Sequence, residues 1–198
     1  MRKIFILSLL MFSVISQAQV ELWLGPKAGI NIANVSDMDG KSYVGAYGGA
    51  AFAVKFSHFY ALQPEIGVSM QGASEVYNTR EDLKMTYFTI GVINKFYFAE
   101  GFHFLIGPEF NFEIDDSYSE SDQGIYDDEG NYLGYLYTQP FDFAVVGGLG
   151  YDLPFGLSFE ARYKQGLQDV IDFFNWDNGK SRLNQVIQLG VVYKFRLK

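Results

Sequence analysis

The chain has 198 residues, enough for one domain of ordinary size. A net charge of −8 leaves no basic surface to neutralise phosphates, so no nucleic acid is expected as a partner. Cysteine is absent, which excludes disulfides, thiolate metal sites and a lipid-modified N-terminal cysteine.

The first element is an export signal over residues 1–18. Arg2 and Lys3 form a positive start, Ile4 to Ile15 an apolar run, and Ser16-Gln17-Ala18 a small-residue cleavage site. The apolar run is shorter than the ~20 residues that cross a bilayer as a helix. Cleavage before Gln19 is expected, leaving residues 19–198 as one domain. Aromatic residues and Gly are abundant there, with 19 Phe, 14 Tyr and 21 Gly in the chain against 5 Pro, a composition that favours strands.

No helical periodicity persists along residues 19–198. The pattern has period two, as expected for strands with unlike faces. Candidate strands lie near Trp23–Ala33 and Val44–Phe56. A third runs from Tyr60, with Tyr60, Leu62, Pro64, Ile66, Val68 and Met70 opposing a polar set that includes Gln63, Glu65 and Gln71. The fourth lies near Met85–Phe98. The fifth sets Phe102, Phe104, Ile106, Phe110 and Phe112 against His103, Glu109, Asn111 and Glu113. The sixth spans Thr138–Leu153. The seventh sets Phe155, Leu157, Phe159, Ala161 and Tyr163 against Glu160, Arg162 and Lys164. The eighth sets Ile187, Leu189, Val191, Tyr193, Phe195 and Leu197 against Gln188, Gly190, Lys194 and Arg196, with Val192 as an apolar exception.

The connections alternate in length. Ser57-His58-Phe59, Ala99-Glu100-Gly101 and Pro154-Phe155-Gly156 are tight, whereas Asn34–Tyr43, Gly72–Lys84, Asp115–Tyr137 and Gln168–Leu183 are long. Short turns at one end and long loops at the other are the build of outer-membrane barrels. A Greek-key sandwich would not alternate so regularly. The expected fold is therefore all-β: an eight-stranded antiparallel up-and-down transmembrane β-barrel, closed so that no strand edge meets lipid. Trp23, Phe56, Tyr60, Phe98 and Tyr151 suit an interfacial aromatic girdle.

The apolar face would meet lipid, so the other face must point inward. It carries Lys27, Lys55, Lys95, Arg162, Lys164 and Lys194 together with Glu65, Glu109, Glu113, Asp142 and Glu160. Mixed charge is expensive against lipid but fits a paired network filling a narrow lumen. At eight strands the bore is just wide enough for side chains, so the network is expected to plug it. A soluble lipid-binding barrel also has eight strands, but its interior would be apolar.

Several groups of residues resemble the outer-membrane β-barrel family labelled PorT-like. They are Lys27-Ala28-Gly29-Ile30-Asn31, Leu62-Gln63-Pro64-Glu65-Ile66, Ile106-Gly107-Pro108, Gly147-Gly148-Leu149-Gly150-Tyr151, Phe159-Glu160-Ala161-Arg162-Tyr163 and Gln188-Leu189-Gly190. In the fourth strand Thr89-Ile90-Gly91 stands where that family would have a Glu-Ile-Pro element. Gln188, Gly190, Tyr193 and Phe195 resemble the terminal insertion signal of such barrels, followed here by Arg196-Leu197-Lys198. The resemblance implies residence in the outer membrane of a Gram-negative bacterium. One branch of the family assists protein secretion.

No catalytic residue and no cofactor or metal site is expected. His58 and His103 fall at tight turns without a Ser or Asp at triad spacing and read as interfacial turn residues. Asp37, Asp39, Asp115, Asp116, Glu120, Asp122, Asp127, Asp128, Glu129, Asp169, Asp172 and Asp177 make the long loops acidic, without the ligand spacing of an EF-hand. They read as solvated loops, with divalent-cation bridging to lipopolysaccharide as a hypothesis. Tyr118, Tyr126, Tyr132, Tyr135, Tyr137, Phe173, Phe174 and Trp176 interleave them. The leading expectation is a non-enzymatic barrel with a structural or surface-interaction role. The alternatives are an accessory component of an envelope secretion or transport machine, and a narrow pore or small-molecule transporter. The expected partners are outer-membrane lipid and lipopolysaccharide, the barrel-insertion machinery, and proteins meeting the extracellular loops.

Overall fold

A computed structural model describes residues 20–38, 40–75, 82–117, 125–126, 132–134, 136–173 and 181–197, and of 125–126, 132–134, 136–137 and 172–173 the backbone alone. The export signal over residues 1–18 lies outside the described residues. So do Asp39, Tyr118, Glu120, Asp122, Asp127, Asp128, Glu129, Tyr135, Phe174, Trp176 and Asp177 of the long loops.

Among the described residues, eight long strands form the body: β1 (Glu21–Val35), β2 (Lys41–Lys55), β3 (Tyr60–Ser74), β4 (Leu83–Tyr97), β5 (Phe102–Asp116), β6 (Phe141–Asp152), β7 (Leu157–Asp169) and β8 (Leu183–Tyr193). Beyond Lys194, the last strand resumes at Phe195–Arg196 against Trp23 and Leu24 of β1. Each strand pairs antiparallel with the next, and β8 closes on β1 from Lys27↔Val192 to Val35↔Asn184. The eight-stranded up-and-down barrel read from the alternation is the fold. Short pieces at Leu136–Thr138 and Ile171–Phe173 pair with each other, as do Ile125–Tyr126 and Tyr132–Gly134.

The strands are longer than the sequence pattern indicates. A 15-residue strand such as β4 is about 50 Å long at ~3.3 Å per residue. Tilted by ~40°, it stands about 38 Å tall, against an apolar band of ~25 Å. The surplus lies at the long-loop end, and there the alternation changes phase. From Phe88 downward β4 turns Phe88, Ile90 and Phe96 outward and Thr89 and Lys95 inward. Above Phe88, Leu83, Met85 and Tyr87 turn inward, while Lys84 and Thr86 turn outward. Val186 and Gln185 on β8 and Val35 and Asn34 on β1 follow the same inverted phase. The lower barrel is therefore built for lipid, apolar outside and mainly polar inside, with one buried apolar patch of Ile93, Leu105 and Val146. The upper barrel is built for water, with an apolar core of Val35, Met38, Ala73, Leu83, Met85, Tyr87, Val170 and Ile171.

Aromatic contacts ring the short-turn end. Phe98 packs on Phe104 at 4.6 Å between ring centres, Phe102 on Tyr151 at 4.4 Å, and Phe56 stacks on Tyr60 at 5.8 Å. Rings of that size favour the membrane interface. Trp23 is a correction to the girdle expected from sequence. It shares the inward parity of Lys27 and stands in the wall of a cavity at that end. The seam between β8 and β1 carries the pair Gly29↔Gly190. The Tyr47 ring lies across it: a Cβ on Gly190 would fall 2.1 Å from the Tyr47 hydroxyl and 2.5 Å from the Ala28 carbonyl oxygen. Only glycine admits that approach.

Candidate functional site

The lower lumen holds the charged set. Because parity alternates along each strand, one strand places one side chain per layer. On β1 these are Trp23, Lys27, Asn31 and Val35 from bottom to top. Lys27 pairs with Glu65 on β3. Glu65 also receives both terminal nitrogens of Arg162 on β7, at 2.8 and 2.6 Å. The same guanidinium donates from Nε to Glu160 at 2.9 Å. Lys95 on β4 donates to the other Glu160 oxygen at 2.5 Å and lies 4.0 Å from Asp152 on β6. Lys194 donates to Asp152 at 3.0 Å. The result is a continuous chain, Lys27–Glu65–Arg162–Glu160–Lys95–Asp152–Lys194, with cations and carboxylates alternating across the bore. Arg162, Glu65 and Glu160 are almost fully buried. Buried charges are tolerable only with such mutual pairing, and the bidentate Arg162–Glu65 contact has the planar geometry that guanidinium favours.

A second, mostly uncharged network lies above this chain. Gln188 donates to Asn31 at 2.9 Å, Asn31 to Ser69 at 2.9 Å, and Gln71 to the same Ser69 at 2.9 Å. Asn184 donates to Gln71 at 2.6 Å. On the opposite wall Lys164 pairs with Glu109, and Asn111 donates to Asp142 at 3.3 Å. Glu113 accepts from Thr138 at 2.7 Å near the outer end. Above these stands the apolar core that closes the upper barrel.

Ten of the eleven charged residues singled out in the sequence lie in one of these networks: Lys27, Glu65, Lys95, Glu109, Glu113, Asp142, Glu160, Arg162, Lys164 and Lys194. The eleventh, Lys55, faces the same bore at its lower mouth, with its ammonium 4.8 Å from the centre of the Tyr97 ring. Of the residues likened to an insertion signal, Gln188 and Gly190 face the lumen, while Tyr193 and Phe195 point outward with rings edge to face at 4.9 Å. His58 is exposed in its turn. His103 is a correction: it is fully buried inside the barrel, 3.8 Å from Asp152, and is not an interfacial turn residue.

Sequence reasoning missed Asp152, Tyr97, Tyr47 and Trp23 as lumen residues. Their signal was parity: Asp152 shares the parity of Asp142, Tyr97 of Lys95, Tyr47 of Lys55 and Trp23 of Lys27. Among the described residues, no three carboxylate or histidine side chains converge as metal ligands.

Comparison with known proteins extends the reading. Residues 17–172 match the model of the outer membrane protein beta-barrel domain family. No curated protein matches the sequence. Among solved structures, Neisserial surface protein A is similar in fold at 13% identity, with 88% of this chain and 97% of that chain covered and a TM-score of 0.52. The attachment invasion locus protein Ail of Yersinia pestis aligns at 13% identity over 89% of this chain and 97% of its own, with a TM-score of 0.46. OprG of Pseudomonas aeruginosa aligns at 14% identity over 90% and 96%, with a TM-score of 0.42. With the family model matching far more than half of its length, the chain belongs to the outer membrane protein beta-barrel domain family.

Proposed function

We propose that this is a non-enzymatic, non-conducting barrel of the Gram-negative outer membrane with a structural or surface-interaction role. One observation carries the reading: the bore is filled twice over, by the alternating ion-pair chain and, above it, by the apolar core of the upper barrel. Eight strands leave room for side chains and little else. In this reading residues 1–18 direct export, and Gln188, Gly190, Tyr193 and Phe195 are read by the barrel-insertion machinery. Outer-membrane lipid and lipopolysaccharide surround the lower strands, and the acidic long loops meet protein partners. We also infer a PorT-like barrel, a reading supported by the ordered residue groups from Lys27–Asn31 to Gln188–Gly190.

Planar-bilayer recording tests the reading. The expected result is the absence of channel events from the refolded protein, and reproducible unitary currents would overturn it in favour of a narrow pore. A second reading is an accessory component of an envelope secretion or transport machine. It is favoured by the asymmetry of the bore, which is closed above and hollow at the short-turn end. Co-purification of a secretion complex with the tagged barrel would select it.

A further inference from the structure

The lower mouth of the bore is not filled. A cavity of about 650 Å³ opens there, within the ~300–1,000 Å³ typical of small-molecule sites. Trp23, Phe59, Tyr97 and Phe98 give it aromatic walls, and Lys55, Lys194 and Asp152 give it charge. Lys194 and the Tyr97 hydroxyl both donate to the same oxygen of Asp152, at 3.0 and 2.8 Å. That oxygen is therefore already engaged, and the other points into the barrel, 4.0 Å from Lys95 and 3.8 Å from His103.

Lys55 is different. Among the described residues it meets no carboxylate, and its ammonium rests over the Tyr97 ring. The ion-pair chain above the cavity contains four cations against three carboxylates, so the lower bore carries positive charge in excess even before Lys55 is added. Glu21 stands directly opposite Lys55 in the pairing of β1 with β2, but its carboxylate oxygens are taken by Arg196 at 2.9 Å and by the Trp23 indole N–H at 3.3 Å. Glu100 stands exposed on the cavity rim. One cation with no carboxylate within ion-pair distance, in a half-enclosed hollow with aromatic walls, matches a monovalent anion with an apolar body.

We propose that this cavity binds an organic carboxylate bearing an apolar or aromatic group, entering from the short-turn end, with Lys55 as its counter-ion. A free carboxylic acid and the C-terminal end of a polypeptide share this chemistry. The aromatic walls would take the apolar group, and a carboxylate beside Lys55 would gain a charge-assisted hydrogen bond.

Calorimetric titration of the full barrel in detergent tests the proposal, using 3-phenylpropionate and its neutral amide. A tetrapeptide ending in Phe, with a free or an amidated C-terminus, forms the second arm. The acid of at least one pair should bind, and its amide should bind at least about tenfold more weakly. Binding of 3-phenylpropionate identifies a free acid as sufficient, whereas binding of the peptide acid alone identifies a chain terminus. Lys55→Met should weaken the acid about tenfold while leaving heat-modifiable migration intact, because it orphans no buried carboxylate. Ala53→Phe, which keeps every charge and fills the hollow, should abolish binding. Equal affinity for acid and amide, no binding of either acid at millimolar concentration, or full affinity in Lys55→Met or Ala53→Phe would overturn the site.

Discussion

Arg162→Met removes the hub of the lumen while keeping much of its volume. The wild-type guanidinium makes two hydrogen bonds to Glu65 at 2.8 and 2.6 Å and one to Glu160 at 2.9 Å, with a further close contact to Glu160. All three side chains are at most 2% exposed. Removing one partner of a buried pair typically destabilises by ~3–5 kcal/mol, because a charge stays behind without compensation. Here two carboxylates are affected, which pushes towards the upper end. Each keeps one lysine, Lys27 for Glu65 and Lys95 for Glu160, which pulls back. A loss of about 4 kcal/mol is expected. Adding Glu65→Gln removes one of the two deficits but strips the buried Lys27 of its carboxylate, so the double variant should lose less than the sum of the two single losses, a coupling that a double-mutant cycle measures directly. The assay is equilibrium urea unfolding from lipid vesicles, followed by tryptophan fluorescence. If Arg162→Met loses less than about 1 kcal/mol, or if the losses of the two single variants simply add, the lumen charges are solvated independently and the hub argument fails.

Two further outcomes follow from the seam and the outer face. Gly190→Ala should prevent closure, seen as loss of heat-modifiable migration. Adding Tyr47→Ala should not restore it, because the new Cβ would still meet the Ala28 carbonyl oxygen at 2.5 Å. Recovery in the double variant would show that Tyr47 alone enforces the glycine. Leu189→Arg places a charge on the lipid-facing side of β8, where Leu189 is 44% exposed. A loss of ~2–4 kcal/mol is expected in vesicles. The same substitution should matter little in detergent, and equal losses in both media would place that face away from lipid.

Much of the barrel was legible because lipid forces a strict rule onto sequence. Glu160, Arg162 and Lys164 on one parity and Phe159, Ala161 and Tyr163 on the other leave β7 a single orientation. The short turns were equally plain, since the four residues between these strands, read from sequence as three, admit only a hairpin. The upper strands were hidden by the change of phase. Leu83, Met85 and Tyr87 turn inward, whereas a reading tuned to the lower barrel expects polar residues there. That reading therefore starts β4 two residues late, at Met85 instead of Leu83, and assigns residues 72–84 to a loop. The same rule hid Trp23, because an aromatic at a strand end looks like a girdle residue until its parity with Lys27 is counted. His103 shares the parity of Glu109 and was legible as inward on that ground, but its place just after a turn made it read as an interfacial residue. Which cation meets which carboxylate was beyond the sequence, since those contacts join strands up to 97 residues apart.

The ion-pair chain also constrains the order of assembly. Its links join β1 to β3, β3 to β7, β7 to β4, β4 to β6 and β6 to β8; apart from Arg162 with Glu160 inside β7, none joins adjacent strands. A hairpin, or an open sheet of four or five strands, would therefore present lone lysines and glutamates to whatever surrounded it. Lipid would reject such a sheet, as it rejects any unpaired charge near the bilayer centre. The polypeptide cannot thread into the membrane strand by strand. It must curl into a ring, or be held in one, before its lower half can sink. The charges buried at its centre thus make membrane entry all or none, and make a partly formed barrel unable to lodge in the bilayer.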